Sequence, residues 1–215
     1  MKDIAIFGAG GFGREVKTII DAINRDKPNT YNLLGFFDDA YEIGEKINGI
    51  PNLGGLAELN GWHNKLDIAI SIGEPKLKAQ IIKLITNKNV SYPKLIHPNV
   101  SISNDEVFIG KGSIICEGSI LTCNISVGDF VILNLYCTVG HDVTIGKYSS
   151  FMPSVNISGE VDIEDSVYVG TGAKIINQLK IGENTIVGAG AVVSRSLPSN
   201  CTAVGIPAKA IKFNN

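Results

Sequence analysis

The 215-residue chain is poor in charge, in aromatic rings and in histidine. Only 19% of residues are charged and the net charge is −2, which leaves no basic footprint for nucleic acid and no polybasic membrane signal. Aromatics are 7% while hydrophobic residues reach 44%, so a core of Ile, Val and Leu is expected rather than disorder. No apolar run approaches the ~20 residues that span a bilayer. The opening Met1-Lys2-Asp3-Ile4 runs into a strand pattern without the apolar segment of a signal peptide. The four cysteines (Cys116, Cys123, Cys137, Cys201) show no CxxC spacing. Free thiols in the cytoplasm are therefore expected, rather than disulfides.

What the chain does have is a repeat. From Ile109 an aliphatic residue recurs at every sixth position, through Ile115, Leu121, Val127, Leu133 and Val139 to Val187 and Val193. Fifteen hexads follow one another without insertion, and Phe151 is the one lead residue that is not aliphatic. Four positions after each lead lies a small or aliphatic side chain, such as Ser113, Val131, Cys137 or Ala173. Period six fits neither a 3.6-residue helix nor a two-residue strand alternation. It fits a triangular coil in which each hexad is one short strand plus one corner, and three hexads close a turn. Stacked coils bury a ladder of side chains that no single repeat could bury alone. Ile96 and Ile102 read as the start of a further coil, with one slip in register. The hexad resembles the signature of the left-handed parallel β-helix, an exception to the usual crossover hand.

The first 95 residues read differently. Asp3 to Phe7 is a buried strand, followed by Gly8-Ala9-Gly10-Gly11-Phe12-Gly13 and a helix from Arg14 to about Asn24. This is the G-x-G-x-x-G turn, whose small residues let phosphates approach amides at a helix N-terminus. A second strand, Leu33 to Phe37, ends in Asp38-Asp39, carboxylates able to accept from a ribose hydroxyl. A third, Asp67 to Ile72, ends in Gly73, and a helix follows from Pro75 to about Thr86. Val90 to Leu95 is a last short strand. Alternating strands and helices predict a Rossmann-like parallel sheet with its crevice at the strands' C-terminal ends. The region is about half a dinucleotide domain by length, so a mononucleotide or nucleotide-sugar fits better than NAD. Two domains are thus expected: 1–95, α/β and nucleotide-sugar binding, and 96–215, an all-β left-handed parallel β-helix.

Of the three histidines, His63 sits in a polar loop and His97 precedes Pro98 at the domain junction. His141 lies in mid-coil, third in its hexad, where it should project outward near a corner. An unperturbed imidazole suits a general base acting on an amine or hydroxyl. Asp142 could fix its tautomer, but adjacent strand side chains point to opposite faces. The pair therefore needs a corner conformation. One coil on lies Gly159, which leaves room beside the imidazole. A metal-dependent hydrase of the γ-carbonic-anhydrase type needs three His ligands, and the coil holds one, so no metal is expected.

Taken together, the Gly8–Gly13 loop, Phe37-Asp38-Asp39, Ile72-Gly73, the hexads, Gly140-His141-Asp142 and Val204-Gly205-Ile206-Pro207-Ala208-Lys209 resemble the sugar-nucleotide acetyltransferases typified by PglD and NeuD. The resemblance implies a cytoplasmic homotrimer with active sites between neighbouring coils, and acetyl-CoA as cosubstrate. It implies N-acetyl transfer to a nucleotide-linked amino sugar in bacterial glycan biosynthesis. A sialic-acid-type O-acetyltransferase or a non-catalytic nucleotide-sugar-binding protein are the competing readings. By resemblance His141 is the general base, Asp142 raises its basicity in place of a Glu seen in some members, and Asn134 shapes the acceptor pocket. Gly11, Phe12, Gly13, Asp38, Asp39, Gly73 and Lys76 would contact the nucleotide-sugar. Ser150, Gly159, Thr171 and Ala189 would line the acetyl-CoA groove, with Ser150 standing where some relatives carry His.

Overall fold

The computed structural model describes residues 1–213. The N-terminal region opens with β1 (Lys2–Phe7), α1 (Gly11–Asp26) and β2 (Tyr31–Phe37). A small hairpin, β3 (Lys46–Ile47) and β4 (Ile50–Pro51), and a short helix α2 (Leu56–Asn60) follow, neither of which has a periodic signature in the sequence. Then come β5 (Leu66–Ile70), α3 (Pro75–Leu84) and β6 (Val90–Ser91). β2, β1, β5 and β6 form one parallel sheet in that order. This is the expected α/β unit, with its crevice at the ends of β1, β2 and β5.

Several boundaries shift by one or two residues (β2 begins at Tyr31, β5 ends at Ile70, α3 at Leu84), and two larger differences have physical reasons. α1 begins at Gly11, inside the glycine loop rather than at Arg14, because the helix must start while the chain is still against β1. A Cβ on Gly13 would stand 2.0 Å from the Gly8 carbonyl oxygen, so only glycine permits that approach. The strand expected over Val90–Leu95 is split. Val90–Ser91 joins the first sheet, while Leu95–Ile96 pairs with Ile114–Ile115 of the coil. Pro93, between them, has no amide to donate to a ladder.

The rest is a parallel β-solenoid of about six turns. Its first face stacks Leu95–Ile96, Ile114–Ile115, Ile132–Leu133, Ser150–Phe151, Tyr168–Val169 and Ile186–Val187. The second stacks Ser101–Ile102, Ile120–Leu121, Thr138–Val139, Asn156–Ile157, Lys174–Ile175 and Val192–Val193. The third runs from Val107–Ile109 through Ile125–Val127, Thr144–Ile145 and Asp162–Ile163 to Lys180–Ile181. The slip in register is real: Ile120 pairs with Ser101, 19 positions back, whereas Ile120 and Thr138 are 18 apart. Each lead residue from Ile115 to Val193 is buried. Small polar residues inside the prism are satisfied across coils: Ser149 Oγ donates to Glu164 O (3.2 Å) and accepts from Val167 N (3.1 Å). At the top, Cys201–Val204 and Lys209–Phe213 pair antiparallel on the first face.

The α/β unit docks on the first face. Val16, Ile19 and Ile20 of α1 share a core with Leu95, Ile114, Cys116 and Ile132 of the coil. Phe37, Ile68 and Ile70 share another with Phe130, which stacks on Tyr148 at 5.8 Å between ring centroids. Full burial of each such side chain contributes roughly 1.5–3 kcal/mol, so the crevice is carried on the coil at a defined place.

Candidate active site

The crevice is built by close approach. Gly8 takes φ +99, and Ser71 Oγ donates to both Phe7 O and Gly8 O at 2.8 Å, closing the loop onto β5. Asp38 Oδ2 accepts from Ala9 N at 2.7 Å and its Oδ1 from Ala40 N at 2.9 Å. The expected ribose ligand is thus also the brace of the loop. Asp39 Oδ1 accepts from Leu56 N at 3.3 Å, at the start of α2. α1 has no side-chain cap and no acidic residue in its first turn. Cβ atoms on Gly10, Gly11 or Gly73 would meet nothing within 4 Å. Intramolecular packing does not require glycine there, whereas a phosphate resting on the amides of an uncapped helix end does.

α3 starts at the same edge. Glu74 caps it by accepting from Lys76 N and Leu77 N. Lys76 lies with Glu74 and Pro75 on one side of a cavity of about 290 Å³, whose other wall is Ser166, Tyr168, Asn184 and Ile186 of the coil. One turn along, Lys78 is 1% exposed and its Nζ donates to Ser150 Oγ at 2.8 Å. Burial pushes its ammonium down to about 7, with Glu74 opposing. Sequence reasoning missed this residue. The signal was there: residue 78 falls on the same helical stripe as Ile81, Ile82 and Ile85. Ser150, placed in the acetyl-CoA groove by resemblance, is fully buried under Lys78 and lines no open groove of its own chain.

The coil carries the candidate histidine. His141 stands at the corner between the second and third faces, 55% exposed, with Nδ1 2.7 Å from Asp142 Oδ2. The contact exists because Asp142 takes φ 58, the left-handed conformation that recurs at the fourth residue of the hexad. That turns a side chain which a strand would send away back onto its neighbour. The hydrogen bond from His141, and then that from Asn124, holds the Asp142 carboxyl below its usual range. An ionised carboxylate only accepts, so the neutral imidazole places its proton on Nδ1 and its lone pair on Nε2. Gly159 lies directly beneath: its Cβ would be 2.5 Å from His141 Cε1 and Nε2.

The expected residues fall into two groups. Asn134, Thr171 and Ala189 lie at the corner between the first and second faces, beside the docked α/β unit. Thr171 and Ala189 are exposed, while Asn134 is 6% exposed and its Oδ1 accepts from Leu135 N. His141, Asp142 and Gly159 lie at the next corner, opposite the first face. One chain therefore holds the crevice and His141 on opposite sides of the prism. Among the described residues no cluster of His, Cys, Asp or Glu could hold a metal, and no helix is long and apolar enough to cross a membrane.

A phosphate-type crevice docked on a hexapeptide coil, with a polarised histidine at a coil corner, defines an acyltransferase of the hexapeptide-repeat class. Residues 3–85 match the PglD N-terminal domain family, and residues 160–195 match the bacterial transferase hexapeptide family of six repeats. The chain is 35% identical over 213 residues to GDP-perosamine N-acetyltransferase of Escherichia coli O157:H7, covering 96% of this chain and 95% of that one. The acetyltransferase domain of PglB from Neisseria gonorrhoeae, solved with acetyl coenzyme A, superposes with a TM-score of 0.89 at 30% identity, covering 98% and 99%. PerB from Caulobacter crescentus, solved with CoA and GDP-perosamine, gives 0.87 at 27% identity, covering 99% and 98%. The chain belongs to the PglD-type sugar acetyltransferases.

Proposed function

We propose that this protein transfers the acetyl group of acetyl-CoA to the amino group of a nucleoside-diphosphate-linked amino sugar, with His141 as general base. The observation that carries the reading is the His141 Nδ1 contact to Asp142 at 2.7 Å, which leaves Nε2 free on an exposed corner. The sugar amine attacks the thioester carbonyl while Nε2 takes its proton. The tetrahedral adduct collapses, the C–S bond breaks, and the imidazolium returns the proton to the departing CoA thiolate. Asp142 stabilises the transient imidazolium. Gly11, Phe12 and Gly13 hold the diphosphate on the α1 amides, with Asp38, Asp39, Gly73 and Lys76 around the nucleoside and sugar. Gly159, Thr171 and Ala189 flank the pantetheine path, and Asn134 shapes the acceptor pocket. The GDP-linked amino sugar of the relatives supports an amine acceptor over a hydroxyl.

Because crevice and base lie on opposite sides of one prism, the reading requires a second copy: the His141 corner of one protomer meets the crevice side of its neighbour. A homotrimer closes such heterologous contacts into a ring. A cytoplasmic setting agrees with the four free thiols.

The test is thiol release from acetyl-CoA against a panel of GDP-, UDP- and dTDP-linked amino sugars. Release with one acceptor, reduced roughly 10²–10⁴-fold in kcat by His141→Ala, is the expected result. No release with any amine acceptor, or full activity in the variant, contradicts it.

A further inference from the structure

The corner that bears Asp142 is one rung of a column. Residues 18 apart at this corner are Glu106, Asn124, Asp142, Glu160 and Gln178, and each of the first four has a left-handed φ between 53 and 58. Side chains on neighbouring rungs therefore touch. Asn124 Nδ2 donates to Asp142 Oδ1 at 2.9 Å. One coil beyond, Gln178 Nε2 donates to Glu160 Oε2 at 3.1 Å. The Glu160 amide donates to His141 O at 2.8 Å, so this second carboxylate also lies within one coil of the imidazole.

Two carboxylates and one imidazole on an exposed corner have several possible pairings. The two amides select among them. A carboxamide facing a carboxylate must present its NH2 group, since the carboxylate has no proton to give. Asn124 thereby occupies Oδ1 of Asp142 and leaves Oδ2 to His141 Nδ1, while Gln178 draws Glu160 toward the next coil.

We infer that Asn124 is a positioning residue for the acetyl transfer proposed above: it acts through Asp142 to hold His141 in the tautomer with Nδ1 protonated and Nε2 free. Its role depends on the stacking of coils, because it is 18 positions from Asp142 and no local pattern joins them. The hydrogen bond from Asn124 is also among the causes that keep the Asp142 carboxyl below its usual range, which agrees with an anchored, ionised partner for the imidazole.

Asn124→Gly is the deletion of choice, since glycine already occupies this hexad position with positive φ at Gly112, Gly118 and Gly172 and introduces no strain there. Asn124→Gln keeps an amide, and Gln178 shows that glutamine fits the same corner. The first readout is the ring 15N spectrum of the protein labelled at its three histidines, without substrate. His141 is expected as one Nδ1–H tautomer in the wild type and in Asn124→Gln, and as a tautomer mixture in Asn124→Gly. The second readout is turnover. Asn124→Gly should lower kcat roughly tenfold, with KM for acetyl-CoA and the thermal midpoint unchanged, and Asn124→Gln should restore most of it.

An unchanged tautomer in Asn124→Gly overturns the inference whatever the activity. A changed tautomer with unchanged kcat overturns it as well. A tautomer change in a protein that acetylates no amino sugar at all would leave the pairing in place and remove the acetyltransferase reading instead.

Discussion

Glycine is abundant in both halves of the molecule and serves two different ends, seen most clearly in one set from each. In the α/β unit, Gly10, Gly11 and Gly73 face empty space, where a Cβ would touch nothing. In the coil, Gly146 sits so close to the next turn that a Cβ would be 2.5 Å from Asp165 N, and Gly128 would be 2.8 Å from Lys147 N. The first set leaves room for a ligand and the second for the chain itself. Gly159 belongs to both kinds, since the space it leaves is filled by the imidazole of His141.

Substitutions at these glycines should separate the two kinds. The largest effect is expected at Gly159. Gly159→Ala pushes the imidazole off its position, and a displacement of about 1 Å at a reacting group costs roughly 10²-fold in rate. Steady-state kinetics should show the loss in kcat, with the fold intact by circular dichroism. Next, Gly11→Val should raise KM for the nucleotide-sugar by about tenfold or more, because the side chain occupies the approach to the α1 amides. Its unfolding free energy should move by at most about 0.5 kcal/mol. Gly146→Ala should do the reverse, destabilising the coil by roughly 1–3 kcal/mol through overpacking and leaving KM unchanged. If Gly11→Val proves as destabilising as Gly146→Ala, the crevice glycines are structural after all.

A pH-dependent effect on stability is expected at the junction of the two regions. Lys78 holds a pKa of about 7 when folded, against an ordinary 10.5. Between those values the unfolded chain binds a proton that the folded chain does not, so stability rises as pH rises through this window and is lost as pH falls toward 7. Lys78→Met removes that dependence. Denaturant titrations at pH 7 and pH 10 should show wild type gaining on the variant at the higher pH; a constant difference would mean that Lys78 stays charged.

The coil was legible because its period is long, exact in spacing and tied to burial at each sixth residue. The one slip, between Ile102 and Ile109, was legible as a break in that count. The strand–glycine–helix turn was equally clear, although the true start of α1 depended on the contact of Gly13 with Gly8. The short hairpin Lys46–Pro51 and the helix Leu56–Asn60 were not legible, since elements of two to five residues carry no period. The pairing of His141 with its neighbouring carboxylate could be anticipated from sequence, with a corner conformation as the stated requirement. Their support could not: Asn124 reaches Asp142 only through stacking, and Lys78 reaches Ser150 only through docking of the α/β unit. Ser150 was assigned to the groove by resemblance alone; its strand position faces outward, and outward on the first face means toward α3.

The central claim is that a working site joins the crevice of one protomer to His141 of its neighbour. The direct measurement is acetyl transfer by oligomers reassembled from an equal mixture of His141→Ala and Gly11→Val chains, each reduced to about a tenth of wild type or less when alone under limiting nucleotide-sugar. Random assembly of a ring should place an intact crevice against an intact His141 in about a quarter of the sites, so activity should return to roughly that fraction of wild type. No recovery after verified mixing of chains would show that crevice and base act within one chain, and would contradict the account.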